Sequence, residues 1–173
     1  MRKKYIVVTW WVISGIGKWV TTASAGFFLA ERFPVSPIKL DWYINIDPGT
    51  MNPHEHWEVF VLADGAEVDM DFGHYERFLW IECQWMQSIS MGKIYAGILE
   101  KERRGDFLWK TVQMIPHVTD HICERIEQVF EAVGWDICMI EVWGTVWDIE
   151  VELYLEAIRQ MKRSKRKEDF IHI

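Results

Sequence analysis

Several protein classes are ruled out by what this chain has little of. Three cysteines, Cys83, Cys123 and Cys138, lie far apart in 173 residues and make no CxxC pair, so nothing suggests a disulfide framework. Their odd number, with no leader-like segment at the start, leads us to expect reduced thiols in a cytoplasmic protein. No apolar run approaches the roughly 20 residues of a membrane-spanning helix. Basic charge is in deficit. With 19 Lys and Arg against 26 Asp and Glu, the formal net charge is −7, which argues against general binding to DNA or RNA. A small basic pocket for nucleotide phosphates is compatible with that balance. Repeats, low-complexity segments and linkers are also missing. Apolar side chains, in contrast, make up half the chain, enough for the core of one α/β-sized domain. Eleven tryptophans stand out among them.

Periodicity supplies the elements. The β-branched run "YIVVTW" (5–10) reads as a buried parallel strand, with a helix expected over 17–32. "VSPIKL" (35–40) reads as a second strand. Residues 41–65, rich in Pro, Asn, Asp and Gly, predict a long functional loop carrying a short strand at "WEVFVL". Helices are expected at "HYERFLWI", at "MGKIYAGILEKERRG" with a stop at Gly105, and at "HVTDHICERIEQVFEAVG" with a stop at Gly134. Strands are expected at "KTVQMIP", "DICMIEV" and "DFIHI". A last helix over 148–165 would take Asp148 as its N-cap. Alternating strands and helices imply an α/β fold, a mainly parallel sheet with helices on both faces. The basic cluster "KRSKRK" (162–167) reads as a solvated helix end.

Chemistry is concentrated in a few places. In "SGIGK" (14–18), glycines let backbone N–H groups approach a phosphate, a following helix points its positive end at it, and Lys18 adds charge. The full phosphate-loop pattern needs Gly six residues before the Lys and Ser or Thr after it; Val12 and Trp19 stand there instead. Acidic groups follow: Asp69 and Asp71 in "DMD", expected in a loop before a helix, Glu141 at the end of a strand expected beside the first, and "DIE" (Asp148, Ile149, Glu150) opening a helix. Carboxylates from separate strand ends can meet on one Mg²⁺, which takes few protein oxygens. Open α/β sheets bind ligands at those ends. His117 and His121, four apart, read as a solvent-facing helical pair for want of a third metal ligand; His54 and His56 are loop residues.

These strings carry a resemblance. "IKLDWYINIDPGTMNPHEHWEVFVLADGAEVDMDFGHYERF", "GKIYAGILEKERRGDFLWKTVQMIPHVTD" and "EVWGTVWDIE", taken with "SGIGK", are similar, in order and nearly end to end, to the N-terminal synthetase (amidoligase) domain of CTP synthase. The resemblance implies a P-loop NTPase-like fold close to dethiobiotin synthetase. It also implies a reaction in which ATP phosphorylates O4 of UTP and ammonia displaces the phosphate to give CTP. By position, Ser14 would touch UTP or CTP phosphates, while Gly15, Ile16, Gly17 and Lys18 would hold ATP. Lys39 would reach the transferring phosphate, Asp71 and Glu141 would ligate Mg²⁺, and Asp148, Ile149 and Glu150 would line the pyrimidine site. A homo-oligomer, tetrameric in the family, is the implied assembly.

The departures are equally specific. Trp10, Trp11, Trp19, Trp57, Trp109, Trp143 and Trp147 stand where the family pattern has Gly, and Trp42 where it has Pro. The segment "LWIECQWMQSISMGK" (79–93) replaces a polar stretch ending in Thr-Thr-Gly-Lys. Residue 173 precedes the family's Lys-Thr-Lys-Pro-Thr-Gln segment and its glutaminase domain, so the expectation is the front portion of a synthetase domain only. Trp10, Trp11, Trp19, Trp143 and Trp147 are expected to converge on one crevice and fill it. Three readings result: a CTP synthase-like domain of weak or absent activity, a non-catalytic or engineered variant whose indoles occlude the nucleotide pocket, and a binding module whose Trp cluster takes an apolar or stacking ligand.

Overall fold

The first strand, β1 (Lys4–Trp10), is buried through its middle because its β-branched residues face packed helices on both sides of the sheet. A computed structural model describes residues 3–10, 17–52, 54 and 59–173. Trp11, Ser14, Gly15, Ile16, His56 and Trp57, singled out above, lie outside the described residues. Helix α1 (Lys18–Ala30) follows, entered through Gly17 at φ 72°, a left-handed conformation in which a side chain would be strained. β2 (Val35–Asp41) is buried along its whole length.

A small antiparallel hairpin comes next, β3 (Val59–Val61) against β4 (Glu67–Asp69). It leads into helix α2 (Asp71–Leu79), the short strand β5 (Ser88–Ser90), helix α3 (Met91–Arg104) and helix α4 (Thr119–Val133). β6 (Ile137–Thr145), helix α5 (Glu152–Ser164) and β7 (Phe170–His172) complete the order. The main sheet runs β5–β2–β6–β1–β7, and all four pairings are parallel. Glycines at 105 and 134, both left-handed, end α3 and α4 as expected.

Period-two alternation divides the strand residues between two cores. Tyr5 and Val7 of β1, Ile38 and Leu40 of β2, and Cys138, Ile140 and Val142 of β6 pack under α3, α4 and α5 in the larger core. Ile6, Val35, Ile137 and Met139 face the opposite way, toward α1. A third cluster joins α1 to α2 through Ala23, Phe72, Tyr75 and Leu79.

Four expectations need correction. The stretch "KTVQMIP" is not a strand: residues 114–118 form an irregular turn, with Met114 and Ile115 exposed. α2 begins at Asp71, so this carboxylate belongs to a helical first turn rather than to a loop before it. Asp148 does not cap a helix with its side chain; its Oδ2 accepts from Thr145 N at 2.7 Å and closes the turn after β6. His121 is buried between α3 and α4, not solvent-facing, with Gly97 leaving room for its ring. The strands β4 and β5 went unpredicted, because three-residue segments carry too little periodicity to read.

Candidate functional site

Because Ile38 and Leu40 point into the larger core, Lys39 and Asp41 must point to the opposite face, under α1 and α2. The same rule turns Glu141 and Trp143 of β6 that way, and sheet register sets Glu141 directly beside both Lys39 and Val8. Two strand ends, those of β2 and β6, thus deliver an ammonium, two carboxylates and an indole to one crevice. α2 adds Asp71 and, one turn later, Tyr75; α1 adds Lys18 from its first turn.

Lys39 is the hub. Its ammonium meets Asp71 Oδ2 at 2.7 Å and Asp41 Oδ1 at 3.1 Å, and it pairs closely with Asp69. Burial opposes its charge, but Asp41, Asp69, Asp71 and Glu141 together outweigh burial and hold the lysine well above its ordinary range. Asp41 is completely buried, and among the described residues neither of its oxygens accepts a well-formed hydrogen bond. Burial, with Asp69 adding, pushes its carboxyl far up. Burial likewise pushes Glu141 up to about 7; Tyr75 donates a short hydrogen bond to its Oε2. Lys18 is turned inward as well, donating to the carbonyl of Gly144 at 3.0 Å, and burial lowers its affinity for a proton.

Gly144 itself has no room for a side chain. Its φ is 115°, and an added Cβ would lie 2.4 Å from Val151 Cγ2. Asp148 lies beside it, while Ile149 and Glu150 face solvent. Lys18, Lys39, Asp71 and Glu141 are therefore brought together; Gly17 sits at the helix entry, and of the "DIE" trio Asp148 alone borders the turn at Gly144.

The indoles converge only in part. Trp143 stacks on Trp42 with centroids 5.4 Å apart and meets Tyr43 edge-on. Lys39 Nζ lies 5.4 Å from the Trp143 ring centroid, within cation–π range. Trp19 turns instead to α2 and stacks on His74 at 3.9 Å. Trp10 is half-buried, and Trp147 is 72 % exposed. Of the five indoles expected to converge, Trp143 lies over Lys39 with Trp42 stacked on it, Trp19 and Trp147 turn elsewhere, and Trp11 lies outside the described residues. Large rings escape a tight crevice wherever solvent or another helix offers them a face.

The donor set is suited to a hard cation, since Asp41, Asp69, Asp71 and Glu141 all offer carboxylate oxygens. Among the described residues no three His, Cys, Asp or Glu side chains are placed to close on one metal ion. Mg²⁺ does not require three, because it is commonly held by one or two carboxylates and completed by phosphates and water. Asp71, 21 % exposed, is the carboxylate that opens outward.

Asp41 and Tyr75 were missed from sequence, yet both leave a signal. Asp41 follows Lys39 by two residues on a strand, and Tyr75 follows Asp71 by four on a helix; each spacing puts the pair on one face.

The CTP synthase N-terminus family model matches residues 4–173. The chain is 54% identical over 173 residues to a CTP synthase of Archaeoglobus fulgidus, covering 98% of this chain and 32% of that relative. A CTP synthase of Methanosarcina barkeri gives the same identity and coverage. One from Natronomonas pharaonis is 52% identical over 176 residues, covering 100% of this chain and 32% of the relative. The chain thus spans about a third of the length of the curated relatives it matches. With a parallel sheet that gathers lysines and carboxylates at its strand ends, the chain belongs to the CTP synthase N-terminus family.

Proposed function

We propose that this chain is the nucleotide-binding part of an ATP-dependent synthetase that converts UTP to CTP through a 4-phosphorylated UTP intermediate, with turnover in this chain weak or absent. The observation that carries the reading is the meeting of Lys18, Lys39, Asp71 and Glu141 at the carboxyl ends of β1, β2 and β6, beside the N-terminus of α1.

Gly17 and the first turn of α1, which carries no acidic residue, offer backbone N–H groups and the positive end of a helix to ATP phosphates. Lys18 would leave the Gly144 carbonyl and bind those oxygens. Ser14, Gly15 and Ile16 are assigned to the same phosphate loop. Lys39 supplies positive charge where it is needed as the phosphoryl group moves to O4 of UTP. Asp71 and Glu141 would hold Mg²⁺, which when bound neutralises phosphate charge. Tyr75 keeps Glu141 aimed into the crevice through its hydroxyl. Asp148, Ile149 and Glu150 are assigned to the pyrimidine nucleotide.

A second reading is favoured by one specific contact, the Trp42–Trp143 stack over Lys39. There the indoles hold the space of a nucleotide, and the fold persists without binding one. Titration with Mg·ATP separates the two readings. Micromolar binding supports the synthetase reading, whereas silence in a chain that melts cooperatively supports occlusion. Detectable conversion of UTP to CTP with ATP, Mg²⁺ and free ammonia would overturn the weak-or-absent turnover.

A further inference from the structure

One ammonium holds three carboxylates in this crevice, with a fourth close by. Asp41, Asp69 and Asp71 all pair with Lys39, and Glu141 is its register neighbour on β6. Lys18, whose charge also acts on Glu141, donates a hydrogen bond to the carbonyl of Gly144 and pairs with none of the three aspartates. Carboxylates packed this closely repel unless a cation lies among them. Asp41 is the more telling group: wholly buried, it accepts no well-formed hydrogen bond from the described residues and is met by Lys39 at 3.1 Å. It is a hard oxygen donor aimed at a cation position. Asp71, proposed above as a metal ligand, gives the same ammonium its 2.7 Å contact.

We propose that Lys39 is the resting occupant of the cation position and that it leaves Asp71 when a divalent metal binds. In the resting state the ammonium keeps Asp41, Asp69 and Asp71 gathered on one point. A divalent cation offers those carboxylates more charge, so Lys39 is released as the metal is taken up and turns toward the phosphate side. The lysine is thereby freed only when a metal has arrived, which couples the two charges required for phosphoryl transfer. The Trp143 ring lies 5.4 Å from the ammonium, and its cation–π attraction favours the resting position. The inference rests on the metal role assigned to Asp71 but not on ATP or UTP binding.

The test is Mn²⁺ binding without nucleotide, followed by electron paramagnetic resonance in the unsubstituted chain and in Lys39→Gln. Losing the competing charge should tighten binding roughly ten-fold or more, and adding Asp71→Asn should abolish that gain. Equal or weaker binding by Lys39→Gln overturns the proposal. If this variant folds only when Mn²⁺ is added, seen by circular dichroism, the exchange is supported. If it does not fold at all, the unsubstituted chain decides. With lysine side chains labelled with ¹⁵N, the protected Lys39 ammonium signal should shift or vanish as Mg²⁺ is added, and an unchanged signal at millimolar Mg²⁺ overturns the proposal. Because no nucleotide is used, failure to bind Mg·ATP sinks the proposed function and leaves the exchange standing.

Discussion

Tyr75 is completely buried on α2, and its hydroxyl donates to a carboxylate that is itself only 1 % exposed. A buried acid deprived of a donor loses a hydrogen bond it cannot replace from water, a cost of about 1–3 kcal/mol. Tyr75→Phe keeps the ring packed against Phe72 and removes only the hydroxyl. We expect this variant to lower the urea midpoint by an amount within that range while leaving the denaturant slope unchanged. No loss of stability would mean that the hydroxyl contributes little to holding Glu141. At the same scale, both lysines expected to meet phosphate are satisfied by the protein itself, Lys18 by a carbonyl and Lys39 by carboxylates. Each must be released before it can serve a ligand.

Among the elements, those with strong periodicity were legible and those defined by context were not. The three long strands and the helices ending at Gly105 and Gly134 follow from β-branched runs and left-handed stops. The strand expected at "KTVQMIP" failed because an apolar run makes a strand only where it pairs with a sheet, and these residues join neither of the two sheets. His121 shows how a single face can be misread. Helical spacing places it near His117, but packing of α4 on α3 turns it inward against Gly97, with Lys101 and Glu124 at its ring. Burial first, and then Lys101 and Arg125, lower its affinity for a proton, while Glu124 opposes them. The unfolded chain therefore binds this proton more readily than the folded one. The stability contribution is fully present above the ordinary histidine value of about 6.5 and is lost as pH falls below it, at up to about 1.4 kcal/mol per pH unit. His121→Gln should flatten the pH dependence of unfolding free energy in that window. An unaltered slope would assign the acid sensitivity to other groups.

At the scale of the whole molecule, the two faces of the sheet divide the labour. The larger core under α3, α4 and α5 holds β1, β2 and β6 together, while the crevice lies on the opposite face under α1 and α2. The site was legible in its charges, since lysines and acids at strand ends of a parallel sheet must gather. Their ion pairing was not, because it depends on which rotamers a crowded crevice allows. Changes at Trp143 on the site face should therefore alter binding more than folding, while changes at Trp42, which also packs against the larger core, cost some stability as well. Replacing Trp143 by Gly and Trp42 by Pro removes the stack beside Lys39. If occlusion is what blocks nucleotide, Mg·ATP should leave the melting temperature of the unsubstituted chain unmoved and raise that of the double variant. Ligand at a hundred times its dissociation constant stabilises by about 2.7 kcal/mol, which for a chain of this size is a shift of roughly 5–10 °C. A variant that still melts cooperatively but shows no shift would clear the Trp42–Trp143 pair of blame. Trp10, Trp11 and Trp19, which flank in sequence the residues proposed to bind phosphate, would then be the next places to restore glycine.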